Sequence, residues 1–314
     1  MQRLHLALLA ALAIAAGLVL WRQERPARVS DPARPGLLDV ALPEAALVAT
    51  LDVSALRGSP EGLRVLEQLA RAATQGGSGG CEQRLLARLE RVALTVPAHS
   101  SGPDELELAV VAEGELPSRE VLECASAVMA RRGGEPVRAE LGGFELLRDR
   151  RGQGELAVRG DGQLIVSGGR TFRDLVDRSA GRLPSARRLE HDLHRALRAR
   201  IGQAPLLVTL VLPPGWLERW LEDPSVAGSP LSQVRAIAMR GVLTPALRLT
   251  ALLRAPDAAT AAGVEAYVRE LAPALAELLG SPPDALRLTR RGEEVELALD
   301  GGPLELEQLL DPAR

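Results

Sequence analysis

The sequence predicts an α+β protein made of two tandem ferredoxin-like modules, of the β-α-β-β-α-β type, behind an N-terminal apolar helix. Three observations carry this. Segments of period-2 hydrophobicity alternate with segments of helical period. The same order of elements runs twice along the chain. An apolar run of about membrane-crossing length opens it. The organisation implied is 1–21 as a signal anchor or signal peptide, 22–36 as a Pro/Arg-rich tether, 37–182 as the first α+β module, 183–203 as a connecting helix, and 204–314 as the second module.

In the first segment, Leu4 to Trp21 is interrupted only by His5 and ends at Arg22. It reads as an uncleaved anchor or as a signal peptide cut near Ala13-Ile14-Ala15, and the anchor is preferred because apolarity continues past that cut. Arg22, Arg25, Arg28 and Arg34 follow the run, which by the positive-inside rule favours a cytoplasmic body. The charged-then-apolar start and the two cysteines favour export, and a periplasmic, N-terminally anchored body is the preferred reading. A cleaved, secreted form and a cytoplasmic-facing body remain the alternatives. Gln23 to Gly36 holds three prolines and no apolar period, hence the tether.

Leu47, Ala49, Leu51 and Val53 share one face of a first strand, 46–53, and Glu61 to Ala73 has helical spacing. Strands follow at 89–96 and 105–112, then a helix from Ser118 to Arg131 stopped by Gly133-Gly134. Short strands at 144–149, 155–159 and 163–167 come next, the last two joined at Asp161-Gly162, and a helix at 171–180 closes the unit. Leu189, Leu193, Leu197 and Ile201 form the stripe of a connecting helix over 185–201. The order then returns: a strand at 205–212, a short helix at 216–222, strands at 234–243 and 246–254, a long helix at 258–279 kinked or split by Pro273, strands at 285–289 and 295–299, and a helix at 304–310. With an apolar start, a Pro-rich tether and a strand reading LVATLDVSALR over Leu47 to Arg57, the chain resembles uncharacterised exported or membrane-anchored bacterial proteins. The resemblance brings no activity and no site residues with it.

Composition excludes several chemistries. Lys is absent, so a Walker A loop, a Schiff-base enzyme and a Ser-Lys hydrolase lack their ammonium group. A net charge of −3 with interspersed signs, and an aromatic content of 2%, argue against a nucleic-acid partner. No cofactor is implied.

The candidate residues each have a bland reading. Gly76-Gly77-Ser78-Gly79-Gly80 spells a nucleophile elbow, but the elbow needs a preceding strand, so a glycine loop is expected. His191 and His194, beside Glu190 and Asp192, are expected on a solvated helix face, and His99 in a loop. Arg159-Gly160-Asp161 is expected to be turn chemistry, and Asp52 to cap the next turn or pair with an arginine. Cys81 and Cys124 form either a disulfide or two buried thiols; their single pairing within one module, behind an export-like segment, favours the disulfide. The preferred function is a non-catalytic cell-envelope protein, held to the membrane by its N-terminal segment, whose exported body binds a protein or envelope component. The alternative is a carboxylate-dependent enzyme using Asp52, Glu105 or Glu107 at a site between the modules.

Overall fold

A computed structural model of the chain describes residues 37–41, 44–58, 63, 80–98, 108–131, 133–150, 155–186, 192–213, 228–244, 246–278 and 282–300. These fall into two compact units, one before Asp192 and one from Asp192 onward. The apolar segment 1–21, the tether 22–36 and the expected helices at 216–222 and 304–310 lie outside the described residues, as does all but Leu63 of the helix expected at 61–73. Among the described residues no helix is long and apolar enough to cross a membrane.

Among the described residues seven strands build the sheet of the first unit: β1 (Ala45–Asp52), β2 (Leu89–Pro97), β3 (Ala109–Gly114), β4 (Pro136–Leu141), β5 (Phe144–Asp149), β6 (Glu155–Arg159) and β7 (Gln163–Ser167). Their spatial order is β1-β2-β3-β7-β6-β5-β4, and every neighbouring pair is antiparallel. This overturns the ferredoxin-like expectation. A split βαβ unit carries the chain across a sheet face between two parallel strands. Here β1 and β2 are direct antiparallel neighbours, so the segment between them leaves and re-enters at the same end of the sheet.

The faces are covered by other helices. α1 (Leu37–Val40) leads into β1, α2 (Val53–Arg57) follows it, α3 (Gly80–Leu86) precedes β2, α4 (Ser118–Arg131) follows β3, and α5 (Gly169–Ser179) follows β7. α1 and α5 bury Leu37, Val40, Phe172, Leu175 and Val176 against Ala93, Val111, Phe144, Leu146, Ala157 and Ile165. The alternate residues Leu147 and Val158 point to the opposite face, where α4 covers them with Val121 and Leu122. The only two phenylalanines of the chain therefore share one core.

α4 ends where its glycines require. Gly133 takes φ 80°, its N–H donates to the carbonyl of Ala130 at 3.0 Å, and that of Gly134 donates to Met129 at 3.0 Å, a Schellman arrangement. The β6–β7 connection depends on Gly162, at φ 84°, where an added Cβ would lie 1.9 Å from the Gly114 carbonyl oxygen. Arg159 and Gln163 are paired, so the turn holds three residues rather than the tighter Asp161-Gly162 hairpin expected.

The second unit contains α6 (Asp192–Ile201), β8 (Leu206–Val211), β9 (Ala236–Thr244), β10 (Ala246–Arg254), α7 (Ala258–Leu278), β11 (Leu286–Arg291) and β12 (Glu294–Asp300). The connecting helix expected from Ser185 is described only from Asp192, and Leu183 to Ser185 is not helical. The strand order is β8-β9-β10-β12-β11, antiparallel throughout. Five antiparallel strands with three consecutive neighbours at one side are again not a ferredoxin-like module. In both units a three-strand meander is followed by a long helix, and the last strand returns to pair with the third. α6 packs Leu197 and Ile201 on Leu207, Ala236, Ala238 and Leu252. α7 opens at Asp257, which accepts from the Thr260 N–H at 2.7 Å; the Thr260 hydrogen bonds hold its carboxyl below the usual carboxylate value. It runs past Pro273 without splitting, and Pro273 is exposed, where solvent can satisfy the carbonyl that loses its partner.

Candidate functional site

α3 and α4 face one another with matching helical stripes. Cys81, Arg84 and Leu85 lie at i, i+3 and i+4 on one; Glu120, Glu123, Cys124 and Ala127 lie at i, i+3, i+4 and i+7 on the other. Between them is a depression of about 240 Å³ lined by these residues. Cys81 and Cys124 are joined there in a disulfide, with their Cα atoms 5.8 Å apart. Cys81 is half-buried and Cys124 is 5% exposed, so the bond runs from the rim into the body.

Charged pairs ring the depression. Arg88 Nη1 meets Glu120 Oε2 at 2.7 Å, Arg119 Nε donates to Glu123 Oε1 at 2.8 Å, and Arg131 pairs with Glu82. Arg119 is the main cause that holds the Glu123 carboxyl below its ordinary value, with Arg138 adding to it. The sulfurs of Cys81 and Cys124 and the Glu82 carboxylate lie within 4.8 Å of one another. Metal ligation needs thiolates, and in the bridged form the two sulfurs are bonded to each other instead.

A second polar grouping crosses the sheet. Asp52, Arg91, Glu113, Gln163 and Arg159 occupy one register line over β1, β2, β3, β7 and β6. Arg91 Nη2 donates to Glu113 Oε2 at 2.6 Å, and Glu113 is 3% exposed. The Ser179 hydroxyl donates to Gln163 Oε1, Arg159 Nη1 donates to the Ser179 carbonyl at 3.2 Å, and the Arg159 guanidinium lies 4.9 Å from the centre of the Phe144 ring. Burial lowers the Arg178 guanidinium on α5 below its ordinary value, against the opposing charge of Asp174, and its Nε donates to the Pro184 carbonyl at 3.1 Å.

The candidates from the sequence occupy structural positions. Asp52 caps α2: its Oδ1 accepts from the Ala55 N–H at 3.0 Å and from the Ser54 hydroxyl at 2.6 Å. Asp52→Ala is expected to cost about 1 kcal/mol, read as a lower urea midpoint for the full chain, with Asp52→Asn restoring most of it. An unmoved midpoint for the alanine variant would remove the cap as a source of stability. Arg159 Nε donates to Asp161 Oδ2 at 3.0 Å, so the Arg-Gly-Asp sequence is tied into its turn. The expectation of a solvated His194 is corrected: it is 1% exposed, its Nδ1 2.8 Å from the Thr209 hydroxyl on β8. Its place beside Leu193 and three residues before Leu197 widens the apolar stripe enough to take it inside. Gly76 to Gly79, His99, Glu105, Glu107 and His191 lie outside the described residues, so Asp52 is the one described carboxylate of the enzyme reading. The polar row was not foreseen, because its members are scattered along the chain from Asp52 to Gln163 and come into line only through strand register.

Comparison with protein-family models finds no match, and neither does comparison with curated proteins. Among solved structures the chain is similar to one described as "Structure of crystal form I of TP0453", with 12% identity and a TM-score of 0.54, covering 89% of this chain and 97% of that one. At that identity the likeness shows a shared fold alone.

Proposed function

We propose that the chain is a non-catalytic cell-envelope protein whose exported body binds another protein along the outer edge of β4. The observation that carries this is the exposure of β4. Its first five residues, Pro136 to Glu140, are all exposed, whereas a strand covered on one face alternates buried and exposed positions. Among the described residues β4 is the last strand of its sheet, so one side of its backbone has no described strand beside it. Val137, 44% exposed, and Ala139 share one face, and Arg138 and Glu140 share the other. An extended segment alternating apolar and charged residues fits that edge: its backbone continues the ladder while its apolar side chains extend the Val137 and Ala139 face. Export is supported by the Leu4 to Trp21 run and by a disulfide suited to an oxidising compartment.

Site-specific photocrosslinking in intact cells tests this. A photoreactive residue at Ala139 is expected to give a discrete adduct, and one at Arg119, also exposed, is expected to give none. Val137→Lys with Ala139→Lys should reduce the adduct at a neighbouring β4 probe by about tenfold or more. Absence of an adduct at Ala139, or equal adducts at both probes, would refute the docking edge.

A further inference from the structure

We infer that the Cys81–Cys124 disulfide is a releasable clasp on α3, opened by thiol–disulfide exchange at Cys81, and that its partner is a dithiol reductant. Three features support it. Both cysteines line the depression of about 240 Å³, and Cys81 is the half-buried one of the two, the partner more open to an attacking thiolate. Cys124 is 5% exposed on a helix with its own core contacts through Val121 and Leu122. No residue of α3 is buried; Leu85 reaches the α4 core only as a partly buried neighbour.

Among the described residues, what otherwise holds α3 is the partly buried Leu85 and a set of polar bonds. Glu82 pairs with Arg131, and after the helix Arg88 pairs with Glu120 while the Arg57 guanidinium donates to the carbonyls of Ala87 and Leu89. The two ion pairs, each with at least one partner open to solvent, contribute little. The covalent bond is the attachment that ties α3 to the buried side of α4, and around it the guanidinium groups of Arg84, Arg88, Arg119 and Arg131 stand among the carboxylates of Glu82, Glu120 and Glu123.

The exchange balances in two steps. A thiolate of the reductant attacks Cys81 Sγ, the Sγ–Sγ bond breaks, its electron pair leaves on Cys124 Sγ, and a mixed disulfide forms on Cys81. The second thiolate of the reductant then attacks its own sulfur in that mixed disulfide and releases Cys81 as thiolate. The reductant ends as a disulfide, having given two electrons, and the two protons lost by its thiols end on Cys81 and Cys124. α4 keeps its place; α3 loses its anchor.

The oxidised full chain is incubated with reduced glutathione, quenched in acid, alkylated with N-ethylmaleimide and mapped by peptide mass spectrometry. Glutathione on Cys81 with maleimide on Cys124 is expected in about tenfold excess or more over the reverse; an even split or the reverse overturns the site of attack. In parallel, hydrogen exchange is compared before and after reduction with dithiothreitol. Peptides covering 80–88 should exchange about tenfold faster or more through local opening, while those of β2 and α4 stay protected and speed up only as far as the unit's lower global stability dictates. No change in 80–88, or loss of protection across β2 and α4, overturns the clasp. The Cys81→Ser, Cys124→Ser double variant should reproduce the reduced pattern, and its failure to do so counts against the clasp as well.

Discussion

Phe172→Ala is expected to lower the stability of the first unit by about 3 to 5 kcal/mol, the range for removing a fully buried aromatic side chain. Phe172 is 0% exposed on α5, and its cluster holds Phe144, Leu146, Ile165, Leu175 and Val176. Several of its lining residues, Ala93, Ala109 and Ala157, are too small to move in and fill the cavity. The loss is a large share of the roughly 5 to 15 kcal/mol typical of a domain. Urea denaturation of the full chain, with hydrogen exchange of the β5 and α5 peptides, checks it; Phe172→Leu should cost much less. A loss under about 1 kcal/mol would mean that this cluster is not what holds α5 to the sheet.

Reducing the disulfide is expected to lower the unfolding free energy of the same unit by about 2 to 4 kcal/mol. The bridge spans 43 residues of sequence. The chain-entropy model gives about 4 kcal/mol for a loop of that size. A released α3 recovers part of that entropy within the folded state, so the measured loss falls below this ceiling. Calorimetry with and without dithiothreitol should show a fall of roughly 5 to 15 °C in the transition of the first unit. An unchanged transition would show that the bridge constrains the unfolded chain no more than the folded one.

Much of the local structure was legible. β5, β6, β7, β10 and α4 lie where the sequence pattern places them: β7 and α4 bury one face, written as a period of two or of 3.6, while β5, β6 and β10 bury residues on both faces and stand out as short apolar runs between turn residues. β4 and α3 were not legible for the converse reason: Pro136 to Glu140 are all exposed and no residue of the short α3 is more than partly buried, so neither leaves a clear apolar period to read. Strand pairing was misread because side-chain pattern reports which face is covered and says nothing of which backbone edges meet. An alternation of strands and helices is common to a split βαβ unit and to an antiparallel meander with a helical excursion at one end. At the candidate site, the stripe of α4 carrying Cys124 was readable, and the opposing stripe of α3 was not. His194 was misplaced because the Thr209 hydroxyl that receives it lies on a different element, fifteen positions away.

The meander of the first unit also orders its assembly in time. β4, β5, β6 and β7 pair in chain order across short connections, and such local ladders close within microseconds. β3 and β7 meet over a chain separation of about fifty residues, and closing a loop of that length carries the larger entropic cost. The four-strand ladder is therefore expected to form ahead of the long-range pairings, the β3–β7 seam where Val111 faces Ile165 and the β1–β2 seam where Asp52 faces Arg91.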